Sequence, residues 1–165
     1  MNSKSLIAEI DFEVVSTQKL LERLPEEKLG WRPHEKAMTL GQLAYHVATI
    51  PGNYLEFANS GKTNLEVMVA HYIPVSENEI MNGFSKSIAT ARQILESATE
   101  EWGTQNWQLI KDGNSIFAIP RSLMCRLLVF NHWYHHRGEL VTYLRTLHVL
   151  IPSVYGPSAD ENPFA

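Results

Sequence analysis

Cysteine occurs once in this chain, at Cys125, so no disulfide can form within it, and the expected setting is a reducing, cytoplasmic compartment. Long apolar runs are missing as well. No segment reaches the roughly 20 apolar residues that a membrane-spanning helix needs, and Glu9, Asp11 and Glu13 interrupt the stretch where a secretory signal would require its apolar run. The sequence predicts no membrane partner. Lys and Arg form no cluster and the formal net charge is −4, which argues against a surface built to neutralise nucleic-acid phosphates. Two familiar metal motifs are absent: the Glu-x-x-His pairs of ferritin-like di-iron proteins and the His-Glu-x-x-His of zincins. Cys125 has no cationic neighbour at fixed spacing and reads as a small core residue rather than a nucleophile. Neither repeats nor low-complexity tracts divide the chain, and 165 residues suffice for one domain, 1–165, with its own core.

What the chain does have is helical periodicity. Leu6, Ile7, Ile10, Val14, Leu20, Leu21 and Leu24 predict a first helix over about Ser3 to Leu24, followed by a loop through Gly30-Trp31-Arg32-Pro33 in which Trp31 packs on a helix end. Thr39-Leu40-Gly41-Gln42 is a capping box that opens a second helix, with Met38 and Leu43 as its hydrophobic staple. Its stripe runs Leu43, His46, Ile50, Tyr54 and Phe57, and Pro51 should kink it about one turn after His46. Ser60 to Val75 lacks a pattern and reads as a connection long enough to cross a bundle from end to end. Ser76-Glu77-Asn78-Glu79 is a second capping box, stapled by Val75 and Ile80, for a third helix that ends near Gly103. Around Asp112-Gly113 the pattern suggests a hairpin or an excursion, and Pro120 suits the first turn of a fourth helix running to Leu147. The proline-punctuated tail, about 149–165, is expected to be extended. The fold class is therefore all-α, a four-helix bundle with a long crossover between helices 2 and 3.

The chemistry concentrates in Asn131-His132-Trp133-Tyr134-His135-His136-Arg137-Gly138-Glu139-Leu140. At about 100° per residue His132 and His136 project from one helix face a single turn apart, with Glu139 and Tyr143 close to the same direction. Cys125 and Val129 precede them on that stripe, which makes the histidines buried. Each is then either a core histidine bonded to a carbonyl or tyrosine, or a metal ligand. His46, on a seam position where leucine is usual, poses the same choice. Three imidazoles from two helices would hold one face of a divalent ion (zinc, nickel or iron) and leave positions for water or substrate, a catalytic pattern rather than a structural one. Glu139 fits an acceptor behind His136, an ion pair, or a general base. Gly138 implies a close backbone approach or an unremarkable exposed position. His135 points away, and His34, His71 and His148 fall in or near loops and should be solvated.

These residues in this order, Trp31-Arg32-Pro33, the capped helix with His46, the His132 to Leu140 run, then Pro152 and Tyr155-Gly156-Pro157-Ser158-Ala159-Asp160, resemble the DinB/YfiT-like family over nearly the whole chain. The resemblance implies a four-helix bundle, often a homodimer, whose metal ligands correspond to His46, His132 and His136. The family commonly carries Gln where this chain has Glu139. For activity it implies a small-molecule substrate: thiol-dependent S-transfer from a low-molecular-weight thiol to a small electrophile, with isomerisation of maleylpyruvate in one branch. The alternatives are hydrolysis by a metal-activated water, or a non-catalytic dimeric binding module with a structural or vestigial metal site.

Overall fold

The computed structural model describes residues 2–164. Helix α1 (Ser3–Leu21) is capped by Asn2, whose side chain accepts from the Lys4 N–H, and a single 3-10 turn over Glu26–Lys28 leads to the next loop. Helix α2 (Leu40–Ser60) starts at Thr39 with both hydrogen bonds of the expected capping box in place. Then come strand β1 (Lys62–Asn64) and a short helix α3 (Leu65–Met68). Helix α4 (Glu77–Ser97) and the short α5 (Glu100–Thr104) precede strands β2 (Asn106–Lys111) and β3 (Asn114–Pro120). The last helical stretch has three parts: α6 (Arg121–Met124), a π-helical segment (Cys125–Asn131) and α7 (His132–Thr146). Among the described residues no helix is long and apolar enough to cross a membrane.

The all-α expectation needs correction: a three-stranded sheet, β1-β2-β3, sits among the helices. Its hairpin is the one signalled by Asp112-Gly113, which both take positive φ and let Lys111 pair with Asn114 across a two-residue turn. The surprise is β1, which pairs parallel to β2 from inside the crossover; three residues are too short to leave a periodic trace, and the pairing is fixed from a distance by Trp107 Nε1 donating to Thr63 Oγ1 at 3.1 Å. The third helix also breaks earlier than expected. It ends at Ser97, and Thr99 caps a separate short helix with its hydroxyl.

One cluster of buried side chains, from Leu6 to Ile151, joins the elements. Helix α2 packs on α4 and on α7, and α1 packs on α4. At Gly52 of α2 an added Cβ would stand 2.8 Å from both the Cα and the carbonyl oxygen of Ser87 in α4. Only glycine lets the two backbones meet there. The Gly52 N–H donates to Ser87 Oγ at 2.8 Å, one residue after Pro51, which lies inside the helix as the sequence shows. The second capping box is half formed. Ser76 accepts from the Glu79 N–H, but the Glu79 carboxylate reaches back to Val75 N and to the Tyr72 hydroxyl, and Val75 is exposed instead of stapling to Ile80.

Candidate metal centre

The π-helical segment decides where the histidines stand. An α-helical stripe through Cys125 and Val129 would continue to His132 and His136, but each π turn takes in one extra residue. The buried positions accordingly run Cys125, Val129, Phe130, then Trp133, Arg137, Leu140 and Leu144. His132 and His136 each fall one residue short of that stripe. The expected burial is thus corrected to half-burial, at the edge of the core, where a cavity opens. That cavity, about 290 Å³, is walled by Met38, Met68, Val69, Leu128 and Tyr54 and floored by His46, His132 and His136.

The structure brings together the three histidines singled out in the sequence. His46 Nε2 lies 3.2 Å from His132 Nε2, which lies 2.9 Å from His136 Nε2, and the three donor atoms sit within 4.8 Å of one another. The far side of two rings is fixed. His132 Nδ1 is 3.3 Å from the Leu128 carbonyl and His136 Nδ1 is 2.6 Å from Glu139 Oε2. Both oxygens only accept, so both Nδ1 atoms donate, and in a neutral ring each Nε2 is then a bare lone pair. Burial keeps the rings neutral. It pushes His46 down to about 3, helped by the neighbouring imidazoles of His136, His132 and His71, and His132 down to about 4, helped by His136. Burial also outweighs the Glu139 carboxylate at His136, leaving it below its ordinary value. Two lone pairs facing each other at 2.9 Å repel unless a cation stands between them. The donor set therefore fits a divalent ion held by three imidazoles, two of them with the carbonyl or carboxylate partner behind the ring that metal-binding histidines use.

Glu139 stands behind this set rather than in it. Its second oxygen is 3.6 Å from Nε2 of the exposed His135, so the carboxylate is shared between His135 and the far side of the His136 ring. Gly138 has nothing within 4 Å of a built Cβ, which removes the close-approach reading of that glycine. Trp31 meets Tyr143 edge-on at 5.6 Å, and the Tyr143 hydroxyl donates to the Met38 carbonyl at the cavity wall.

Two groups near the site carry a role that the sequence reading did not give them. The first is His71, expected in solvent: it is exposed, but its ring stands 5.3 Å from that of His46 and lines the same cavity. Its only sequence signal is a histidine inside the apolar Met68-Val69-Ala70-His71-Tyr72 stretch of the crossover. The second is Arg137, 1% exposed, paired with the carboxylate of buried Glu13 in α1 and donating to Ser16 Oγ, Thr17 Oγ1 and the Tyr155 hydroxyl. A Glu-x-x-Ser-Thr run on an otherwise apolar helix face was its trace. This network anchors α7, and with it His136, to α1 and to the tail.

Known proteins resemble this chain in sequence or in fold. The uncharacterised protein YrdA of Bacillus subtilis is 26% identical over 152 residues, spanning 92% of this chain and 86% of its own. A DinB-like protein of Bacillus cereus superposes with a TM-score of 0.73 at 24% identity, covering 94% of this chain and all of the other. A second DinB-like protein, YjoA of Bacillus subtilis, gives 0.67 at 18% identity, covering 97% of this chain and 96% of the other; at such identities the likeness speaks for the fold alone. The family model described as DinB matches residues 1–162, and the chain belongs to the DinB family.

Proposed function

We propose that the chain is a divalent-metal-dependent enzyme that transfers a low-molecular-weight thiol to a small, largely apolar electrophile. The observation that carries this reading is the facing pair of Nε2 atoms on His132 and His136, whose Nδ1 atoms are both engaged elsewhere. His46, His132 and His136 would hold the ion, which is zinc, nickel or iron. Bound there, it would supply the Lewis acidity that makes a thiol or a water nucleophilic near neutral pH. The protein's own part is positional. Leu128 and Glu139 fix the two rings of the last helix, so Glu139 is a positioning residue acting through His136 rather than a base facing substrate. Met38, Met68, Val69 and Leu128 give the cavity apolar sides, and the Tyr54 phenol, pushed up to about 12 by burial, keeps its proton and donates to the Met68 carbonyl. At about 290 Å³ the cavity lies at the small end of ligand sites and suits a small substrate.

The open cavity favours catalysis over a structural ion, which would be enclosed by four protein ligands. We extend the reading to the four-helix bundle of the family as the frame, a single domain, and a cytoplasmic homodimer, for which sedimentation at twice the 18.8 kDa chain mass is the check. Metal analysis of the purified protein should find one ion per chain, lost in His46→Ala and in His132→Ala. The metal-loaded protein should then consume a thiol and an electrophile together. Ester hydrolysis without thiol would move the assignment to a metal-water hydrolase. Turnover of neither would leave the binding module.

A further inference from the structure

His71 stands on the segment between α3 and α4, not on a helix, and it is held there from both sides. Before it, the Met68 carbonyl accepts from the Tyr54 hydroxyl, and the Tyr54 ring lies 4.8 Å from that of His132. After it, the Tyr72 ring packs on Tyr45 at 4.7 Å and the Tyr72 hydroxyl donates to Glu79 at 2.6 Å. The crossover is thus pinned one residue after His71 and three before it. Its imidazole meets His46 edge-on, with the planes at 87°.

Two further observations separate His71 from the ligand set. Its ring nitrogens are outside the cluster whose donor atoms lie within 4.8 Å of one another. They also have no hydrogen-bond partner among the described residues, whereas the Tyr54 hydroxyl is already engaged. A metal–ligand bond spans about 2 Å, and a donor hydrogen-bonded to the far side of the bound group stands about 2.9 Å beyond it. The His71 ring, 5.3 Å from that of His46 where the triad's own rings are 4.6 to 4.9 Å apart, stands outside the donor set and is placed to meet the ion's guest rather than the ion. In a cavity with otherwise apolar walls it is also the side chain with unused polar capacity, and such groups orient ligands.

We infer that His71 is the substrate-binding residue of this site, donating a ring N–H to the sulfur, oxygen or nitrogen atom that a small thiol or anion places on the open side of the three-histidine centre. The inference rests on the metal-site reading above. It explains why a histidine lies in the apolar part of the crossover.

The test uses the full chain loaded with cobalt(II), titrated with azide and with β-mercaptoethanol and followed by visible absorption. His71→Ala should retain one cobalt per chain and the resting spectrum of the parent while binding both probes about two- to tenfold more weakly, the loss of one hydrogen bond. His71→Asn, which keeps an N–H donor, should recover part of that loss. Unchanged probe affinity in His71→Ala would overturn the inference, and so would an altered resting spectrum, which would make His71 a direct ligand. A parent protein that takes up no cobalt, or a His132→Ala variant that keeps it, would instead sink the metal site itself and the inference with it.

Discussion

Gly138 is a glycine inside α7 with open space where a side chain would go. A helix-interior glycine costs about 1 kcal/mol relative to alanine because the unfolded chain has more freedom to lose. Gly138→Ala should therefore stabilise the protein by about that amount in a denaturant titration, leaving metal content unchanged. Two residues from the histidine pair, a stabilising change that spares the site would show that this position serves neither packing nor chemistry. Arg137, next to it, is the opposite case. Removing its charge while Glu13 stays buried leaves a carboxylate without a counter-charge, held only by the Tyr155 hydroxyl at 3.1 Å, and Arg137→Ala should cost about 3–5 kcal/mol. The paired change Arg137→Met with Glu13→Leu should recover most of it. If the double variant is as unstable as the single one, packing rather than charge explains the loss.

At the scale of elements the contact between α2 and α4 is the most constrained. Gly52→Ala would push a methyl into the Ser87 backbone, which cannot rotate away, and overpacking of that kind costs about 1–3 kcal/mol. Equal thermal stability of parent and variant would mean that the helices can slide apart freely. The join between α1 and the π-helical segment depends on pH instead. Arg126 donates to both Glu9 oxygens, at 2.9 and 3.1 Å, and Tyr134 donates at 2.6 Å. The Arg126 hydrogen bonds hold the Glu9 carboxyl below its ordinary value of 4.5, outweighing its partial burial. A depressed folded pKa gives stability that is present above the unfolded value and lost as pH falls through the folded one. Glu9→Gln should therefore be less stable than the parent at pH 6 to 7, and the gap should close as pH drops below about 4.5. A gap that persists in acid would assign the effect to shape, not charge.

These elements also mark how far sequence reasoning reaches. Thr39 and Gln42 specify their capping box locally, and the structure shows it bond for bond; Asp112-Gly113 likewise specifies its turn. The Ser76 box fails on its return bond because Tyr72, from the crossover, competes for the Glu79 carboxylate. β1 is a strand only because β2 lies beside it. The π-helical turns leave no mark in composition. They shift the phase of the last helix, so its spacing identifies His132 and His136 as a pair while misjudging their burial. His71 reaches the cavity through contacts between segments far apart in the chain, which no local pattern encodes.

Across the whole molecule the three-histidine centre joins α2 to α7, since His46 and His132 are 86 positions apart in the chain. The unfolded chain cannot hold them together, so an ion that binds the folded form alone must stabilise it by mass action, by about 2.7 kcal/mol at a free concentration one hundred times the Kd. Thermal unfolding of the metal-free protein should shift upward on adding zinc or nickel, and a chelator should reverse the shift. On adding metal, hydrogen exchange should slow together in the two helices, because an ion held by the three histidines would clamp one to the other while α1 has no ligand in the set. His132→Ala should unfold at the same temperature with and without metal. A metal-dependent shift that survives this substitution would place the ion elsewhere, at exposed His135 with half-buried His136 and Glu139 for instance, a group that also has its donor atoms within 4.8 Å of one another. His46 discriminates between the two locations, because it contributes to the first and has no part in the second. A His46→Ala protein that still gains stability from metal would put the ion on the outer face of α7, where it would bridge no second helix and face no cavity.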